Sequence, residues 1–309
     1  MVDIPIIDFE DFAGYNRSAR TEVARKIDLA ASESGFMYIK NVSIDAGLIA
    51  SAFQASSEFF SLPHEVKESF YYRPEMNFGY QPLGGQRLDH SISADLKETL
   101  TMRDVPSNLE RTELWPSLEF SEISERMFKT CLDGSNLIME AFAIALKLPI
   151  DFFRKSHLGE CAALRYLRYP NVDYDVGSSQ MGAGAHTDFG TITLLFQDEV
   201  GGLEVQGLDD NWYPAPYIKD TIVVNTGDLM ARWTNEKYRS TPHRVRPLLA
   251  AQTTVPERYS IAFFADPDNE TPVSVLDSCV GPGNPAKYPP TTAGEHIAGK
   301  IRESHNLEP

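Results

Sequence analysis

Short runs of strand-forming residues recur through the second half of the chain, and turn-forming residues separate them. Gly201-Gly202 and Asn225-Thr226-Gly227-Asp228 are two of the separators. Many short strands at regular spacing are typical of β-sandwiches and barrels, so the pattern predicts a β-rich core. The runs cover residues 162–169, 191–197, 203–206, 221–225, 243–246 and 259–264.

The first 150 residues have a different pattern, which is richer in helices. Apolar residues recur at helical spacing in 20–34, 44–60 and 118–146, and short strands are predicted at 4–9 and 35–39. The whole chain has 309 residues, 42% of them hydrophobic, which is ample for a sizeable core. We therefore expect a mainly β protein with flanking helices. A helix-rich region 1–150 would pack on a β-core 151–309 as one compact unit.

The composition of the chain limits the kinds of binding partner and the cellular compartment that we expect for it. The chain has 28 basic and 44 acidic residues and a net charge of −16, which disfavours nucleic acid and anionic membrane surfaces. No stretch approaches the about 18 apolar residues of a membrane span, and no basic N-terminal region precedes an apolar run. The three cysteines, Cys131, Cys161 and Cys279, are widely separated. A cytoplasmic protein is expected, and the sequence leaves its oligomeric state open.

His186-Thr187-Asp188 and the later His243 form a candidate metal site. On a strand, residues i and i+2 point to the same face, so His186 and Asp188 would converge on one point. A neighbouring strand would bring His243 to the same place. Two imidazoles and one carboxylate are the ligand set of non-heme Fe(II) oxygenases. Zinc is the alternative metal, since the same ligand types also build catalytic zinc sites.

Arg258 and Ser260 form a second pair at i, i+2 and share a face of the predicted strand 259–264. A guanidinium fork beside a hydroxyl suits two-point binding of a carboxylate. An arginine on a buried strand face also needs an anionic partner, because burying an unpaired charge is costly. This pair favours iron with a carboxylate co-substrate over a plain zinc site.

With these motifs in order, the chain resembles the 2-oxoglutarate/Fe(II)-dependent dioxygenases of the isopenicillin N synthase-like family over almost its whole length. Residues 191–198 and 228–233 are most similar to microbial members, including thymine-hydroxylase-like enzymes. The matching N-terminal segments are 4–9, 35–41 and 59–63. The matching core segments are His186-Thr187-Asp188, 201–205, 224–229, 238–245 and Arg258-Tyr259-Ser260.

The resemblance implies a fold and a set of residue roles. The fold would be a double-stranded β-helix, or jelly roll. His186, Asp188 and His243 would bind Fe(II), and Arg258 and Ser260 would bind the distal carboxylate of 2-oxoglutarate.

Two further arginines are less clearly assigned. Arg165 and Arg168 lie in 164–170, which departs from the Asn-Tyr-Tyr-Pro form common in plant members. They are candidate co-substrate contacts, with a strand-edge ion pair as the alternative.

The resemblance also implies an activity. The enzyme would use O2 and 2-oxoglutarate to oxidise a small soluble molecule, most simply by hydroxylation, and would release succinate and CO2, with ascorbate as an additional reductant. A nucleobase, an amino acid or a secondary metabolite fits this description. Substrate contacts are expected in 76–103, in 171–180 and after 265. Two alternatives stay open: an iron oxidase of the same fold that needs no 2-oxoglutarate, and a catalytically silent binding protein.

Overall fold

The computed structural model describes residues 3–12, 14, 16–74, 76–85, 95–103, 114–171, 181–246 and 256–304. The strands in these ranges are β1 (Ile6–Asp8), β2 (Phe36–Lys40), β3 (Gly79–Gln81), β4 (Glu98–Arg103), β5 (Ala163–Tyr169), β6 (Ala183–His186), β7 (Ile192–Gln197), β8 (Leu203–Gln206), β9 (Trp212–Pro214), β10 (Ile222–Thr226), β11 (His243–Val245), β12 (Arg258–Ala265), β13 (Pro272–Val273) and β14 (Thr291–Thr292). The α-helices are α1 (Arg17–Glu33), α2 (Ala46–Phe60), α3 (His64–Glu68), α4 (Leu118–Ala145), α5 (Asp228–Trp233) and α6 (Ala293–Ser304).

Two facing sheets form the centre of the molecule. The larger has eight strands in the order β1-β2-β10-β7-β12-β5-β4-β3, and the smaller has four in the order β6-β11-β8-β9. A third sheet contains only β13 and β14. Apart from the parallel pair β1 and β2, the paired strands of the two large sheets are antiparallel.

Helices α1, α2 and α4 cover the outer face of the large sheet. Helix α1 begins where the Asn16 side chain accepts hydrogen bonds from the backbone N–H groups of Ser18 and Ala19, an N-cap that satisfies otherwise unpaired donors. Its buried residues follow the helical period and pack into the main core. They are Val23, Ala24, Ile27, Ala30 and Ala31.

The inner face of the large sheet faces the small sheet. Side chains alternate along each strand, so Val224 and Phe263 join the core under the helices, whereas Val223 and Ala262 join a second cluster between the sheets. The small sheet contributes Leu203, Val205 and Val245 to that second cluster. A side chain on the inner face of either sheet is therefore directed into the space between them.

The predicted mainly β fold with flanking helices is confirmed. Each predicted β run overlaps a strand, and each of the three predicted helical segments overlaps a helix. The first 150 residues also contribute β1 to β4 to the large sheet, where β2 pairs with β10 and β4 pairs with β5. The two halves of the chain thus share one sheet. Within the described residues, no helix is long and apolar enough to cross a membrane.

Candidate active site

Two neighbouring strands of the small sheet bring the predicted histidines together. His186 is the last residue of β6, His243 is the first of β11, and the two are direct cross-strand partners. Their ring centroids are 4.4 Å apart. Asp188 follows the end of β6, so the prediction that it shares a strand with His186 is corrected, although its side chain still converges with the rings. The three ligand atoms lie within 4.8 Å of one another.

Hydrogen bonds fix the orientation of both imidazoles. His186 Nδ1 lies 2.8 Å from the carbonyl oxygen of Gly184, and His243 Nδ1 lies 3.2 Å from that of Thr241. A carbonyl oxygen only accepts, so Nδ1 carries the proton in each ring and Nε2 keeps its lone pair. The Nε2 atom of His243 lies 3.9 Å from Oδ1 of Asp188. This arrangement leaves both rings ready to bind a metal ion.

The carboxylate of Asp188 is held from the opposite sheet. Its Oδ2 accepts hydrogen bonds from Thr193 Oγ1 at 2.6 Å and from Asn225 Nδ2 at 2.7 Å. Thr193 on β7 and Asn225 on β10 are cross-strand partners, so both donors approach from one place on the inner face. These bonds occupy Oδ2 and leave Oδ1 directed towards the histidines. Outer contacts of this kind orient metal ligands.

The protonation states also fit a divalent metal. Burial, and then the neighbouring His243, lower the pKa of His186 to about 3, so its imidazole is neutral. Burial alone would raise the pKa of Asp188, but the two imidazoles and its hydrogen bonds hold that pKa below its ordinary value. Metal ligands must be deprotonated in this way. Among the described residues, no other group of three His, Cys, Asp or Glu residues has comparable geometry.

Arg258 and Ser260 lie together on the inner face of β12, as predicted from their spacing. Arg258 is 4% exposed, and Ser260 is 1% exposed. The guanidinium donates to three neutral acceptors: Gly201 O at 2.5 Å, Ser260 Oγ at 3.1 Å and Gln197 Oε1 at 3.2 Å. Among the described residues, no carboxylate lies within ion-pair distance of Arg258. A buried cation with only neutral partners is suited to receive an anion.

Tyr169 is a site residue that the sequence reasoning did not assign. Its ring lies under the guanidinium of Arg258, 4.7 Å from Cζ to the ring centroid, and its side chain interacts with that of Ser260. Tyr169 pairs directly with Arg258 across β5 and β12. The sequence does show a tyrosine directly before Pro170. Its position next to Arg258, however, follows only from the register of the two strands.

The two other predicted arginines lie on opposite faces of β5. Arg165 is on the inner face, where Nε donates to Thr101 Oγ1 at 2.9 Å and Cζ lies 5.2 Å from the ring centroid of Phe264. Arg168 is on the other face and bonds to Glu257 at 2.5 Å and Glu98 at 2.6 Å. The structure therefore brings Arg165 towards the metal ligands and Arg168 into a two-carboxylate ion pair, the alternative considered for it from the sequence.

Three further charged groups lie near the metal ligands. Lys97 and Asp95 form a buried ion pair with 2.9 Å between Nζ and Oδ2. Burial, and then the charge of Asp188, raise the pKa of Asp266 to about 7. Its carboxylate packs so closely on Gly190 that a Cβ there would lie 1.6 Å from Oδ1. Both Lys97 and Asp266 lie in segments expected from the sequence to contact substrate, 76–103 and the residues after 265, but no individual role was predicted for either.

Family models match both halves of the chain. The model of the 2OG-Fe(II) oxygenase superfamily covers residues 158–267, the region of all three metal ligands and of Arg258. The model described as the non-haem dioxygenase in morphine synthesis N-terminal covers residues 4–118. The 2-oxoglutarate-Fe(II) type oxidoreductase hxnY of Emericella nidulans is 31% identical over 97% of this chain and 90% of its own length. The chain belongs to the 2OG-Fe(II) oxygenase superfamily.

Other relatives of the oxygenase match it over nearly their full length. Proline hydroxylase buaE of Petromyces alliaceus is 31% identical over 93% of this chain and 94% of its own. The full-length thymine-7-hydroxylase of Neurospora crassa, solved in complex with alpha-KG and thymine, has a TM-score of 0.88 at 30% identity, with 99% of this chain and 97% of that chain covered.

These findings confirm the predicted class of activity. The chain is an oxygenase that uses Fe(II) and 2-oxoglutarate, and the His186, Asp188 and His243 cluster supplies a matching ligand set. Of the segments expected to contact substrate, residues 86–94 and 172–180 lie outside the described residues.

Proposed function

We propose that this oxygenase hydroxylates a small soluble organic molecule and couples the reaction to conversion of 2-oxoglutarate and O2 to succinate and CO2. The observation that carries the proposal is the presence, between the same two sheets, of a three-ligand metal cluster and a buried arginine that, among the described residues, bonds only to neutral acceptors. Each feature alone fits several functions. Together they fit a metal enzyme with an anionic co-substrate.

His186, Asp188 and His243 would hold the Fe(II). Bound iron, together with 2-oxoglutarate, supplies the oxidising chemistry, whereas the protein supplies binding, orientation and the electrostatic environment. Gly184 and Thr241 keep the imidazoles in the tautomer that presents Nε2, and Thr193 with Asn225 keeps Oδ1 of the aspartate available. We assign these four residues as supports of the metal ligands.

Arg258, Ser260 and Tyr169 would bind the distal carboxylate of 2-oxoglutarate. The guanidinium is already oriented by Gly201 and Gln197, so little side-chain freedom is lost when the anion binds. The inner face near the metal also carries the basic residues Lys97 and Arg165 and the acidic residues Asp95, Asp188 and Asp266. Counted together with Arg258, these groups carry three positive and three negative charges when all are ionised, so a bound divalent metal leaves two net positive charges, which a dicarboxylate would balance.

Arg165 would contact the substrate or the co-substrate from β5. Its Nε is fixed by Thr101 and its plane lies near Phe264, so the outer guanidinium nitrogens can meet a polar group. Relatives include a proline hydroxylase, a homoarginine-6-hydroxylase and the Neurospora thymine-7-hydroxylase, which was solved with thymine. We therefore propose a nucleobase, an amino acid or a secondary metabolite of similar size as the substrate.

The surrounding architecture is part of the same proposal. The eight-stranded and four-stranded sheets would form a double-stranded β-helix, with the metal between them. The helix-rich region 1–150 and the core 151–309 would act as one compact unit, because they share the large sheet and its core cluster. We propose a cytoplasmic location, consistent with the charge of −16 and the three free cysteines.

An iron oxidase that does not use 2-oxoglutarate is the nearest alternative. Such an enzyme has no 2-oxoglutarate carboxylate to bind. The buried Arg258, whose hydrogen bonds in the described part of the chain all go to neutral acceptors, therefore favours the 2-oxoglutarate-dependent reaction. A silent binding protein is disfavoured by the complete ligand set.

The test is succinate release by protein loaded anaerobically with Fe(II) and then given 2-oxoglutarate, ascorbate and O2. We expect slow succinate formation without substrate and faster formation with the correct member of a panel of nucleobases, amino acids and related metabolites. Mass spectrometry should then detect a product that has gained one oxygen atom. Asp188→Ala and His243→Ala should abolish the activity. Wild-type protein that neither binds 2-oxoglutarate anaerobically nor forms succinate would reject the proposal.

A further inference from the structure

The segment Asp95–Lys97 connects the large sheet to the strand that carries a metal ligand. Lys97 directly precedes β4, while the backbone N–H of Leu96 donates to Met181 O at 3.0 Å. Oδ1 of Asp95 accepts from the backbone N–H of Gly184, also at 3.0 Å. The carbonyl of that same glycine orients His186. The segment therefore lies against β6, immediately beside the metal ligands.

Lys97 is a buried ammonium with few partners. The residue is 4% exposed, and its Nζ lies 2.9 Å from Oδ2 of Asp95. An ammonium group has three N–H donors, and in the described part of the chain Asp95 is the one carboxylate within ion-pair distance. Burial lowers the pKa of Lys97, whereas the neighbouring Asp95 favours its charged form. A buried charge of this kind is retained at a cost unless another anion meets it.

Lys97 lies on the inner face of the large sheet, near both anchors of the proposed site. The next residue, Glu98, pairs with Lys67 and Arg168 on the outer face, so Lys97 is directed inward. There Asp95 connects it to Gly184 and through that residue to His186. Glu98 pairs with Arg168 in the register of β4 and β5, so Lys97 comes alongside Tyr169, the residue whose ring lies under Arg258. An anion that reaches from Arg258 to the metal therefore passes close to Lys97.

We propose that Lys97 binds a carboxylate oxygen of 2-oxoglutarate, while Arg258 binds the distal carboxylate. Asp95 holds the lysine in place and connects it to the backbone that carries His186. This inference rests on the proposed function, because it concerns the same co-substrate. A carboxylate on the oxidised substrate would offer the same chemistry to Lys97, and the experiment separates these two sources.

The experiment is an anaerobic titration of Fe(II)-loaded protein with 2-oxoglutarate, followed by the visible charge-transfer absorption of the iron complex. For Lys97→Met we expect the Kd for 2-oxoglutarate to rise at least about tenfold, as for loss of one charged hydrogen-bond partner. Lys97→Gln keeps a donor of similar length and should raise it less. The Fe(II) affinity, titrated separately without 2-oxoglutarate, should change by no more than about twofold in either variant, which a general loss of structure would not allow.

Lys67→Met is the matched control. Lys67 is also buried, and it forms an ion pair with Glu98 on the opposite face of the large sheet, 2.5 Å from Nζ to Oε2. This variant should lose stability but keep the wild-type Kd for 2-oxoglutarate.

Two outcomes separate the inference from the proposed function. A folded Lys97→Met protein with an unchanged Kd for 2-oxoglutarate would overturn the inference. If this variant also loses the turnover that carboxylic acids stimulate in the wild type, the carboxylate bound by Lys97 belongs to the substrate. Wild-type protein that fails to bind 2-oxoglutarate would instead overturn the proposed function. If Lys97→Met does not fold, the same criterion applies to Lys97→Gln.

Discussion

Nδ2 of Asn225 donates a 2.7 Å hydrogen bond to Oδ2 of Asp188 and thereby joins the two sheets at the metal ligands. Asp188 follows the last residue of β6 in the small sheet, whereas Asn225 belongs to β10 of the large sheet. Thr193 makes the second contact to the same oxygen atom. The orientation of the metal-binding carboxylate therefore depends on how the sheets face each other.

Replacement of Thr193 by valine should weaken metal binding. The change removes the 2.6 Å bond to Asp188 with little change in shape, and loss of such an outer contact typically costs 10–100-fold in metal affinity. Anaerobic Fe(II) titration measures the effect. Thr191→Val is the control, because the Thr191 hydroxyl lies 2.9 Å from His157 Nε2 and contacts no metal ligand. Equal losses of metal affinity in both variants would show that Thr193 acts only through stability.

Replacement of Arg258 by glutamine should weaken 2-oxoglutarate binding by at least about 30-fold. Arg258 is 4% exposed, so it would form a buried charge pair with the bound anion. Truncation of one partner of such a pair typically costs about 2–5 kcal/mol of binding free energy. Isothermal titration with metal-loaded protein under anaerobic conditions gives the Kd. Arg168→Gln should leave this Kd within about threefold of wild type, since Arg168 is paired with Glu98 and Glu257 on the other face of the sheet. The opposite ranking of the two variants would contradict the site assignment.

Replacement of Gly190 by alanine should destabilise the fold. The added Cβ would lie 1.6 Å from Oδ1 of Asp266, so the carboxylate must move, and we expect a loss of about 1–3 kcal/mol in the free energy of unfolding. Asp266→Ala in the same chain should recover part of the loss. Gly281→Ala is the control, because no atom of the described residues, apart from its chain neighbours, lies within 4 Å of a Cβ there. Chemical denaturation that gives additive effects for Gly190→Ala and Asp266→Ala would refute the steric explanation.

Acidification should destabilise the metal-free protein through His157. Burial lowers the pKa of this histidine from 6.5 to about 4, and its ring nitrogens lie 2.7 Å from Phe153 O and 2.9 Å from Thr191 Oγ1. Between these two pKa values the unfolded chain binds the proton more readily than the folded protein. The neutral His157 therefore contributes fully to the free energy of unfolding above pH 6.5, and roughly 3 kcal/mol of that free energy is lost as the pH falls to about 4.

Chemical denaturation across that pH range gives the free energy of unfolding as a function of pH. We expect this free energy to change less steeply with pH for His157→Gln than for wild type. His64→Gln is the control, because the His64 side chain is 58% exposed. Identical slopes for wild type and His157→Gln would rule out His157 as the source.

Several features of the fold could be predicted because they depend on neighbours in sequence. Short runs of strand-forming residues between turn signals identified β5, β7 and β12, and helical spacing identified α1 and α4. The entry of β2 and β4 into the large sheet could not be predicted in this way. Their pairings with β10 and β5 join residues that are far apart in the chain, and no local pattern records them.

The candidate site likewise has features that the sequence predicted and features that required the structure. Spacing at i, i+2 was sufficient to place Arg258 and Ser260 on one face of β12, and the order of the motifs was sufficient to identify His186, Asp188 and His243 as metal ligands. Strand register added Tyr169 below Arg258.

By itself the sequence determined the chemistry of this protein, because the types of its ligands and their spacing on short strands are local properties. Only the tertiary structure decided which face of β5 meets the metal, so that Arg165 points inward and Arg168 pairs with Glu98 and Glu257. The tertiary structure also decided that the segment with Lys97 lies beside the strand of His186. The physical reason is that side-chain direction alternates along any strand, whereas the choice of the buried inner face depends on the packing of two sheets built from distant segments.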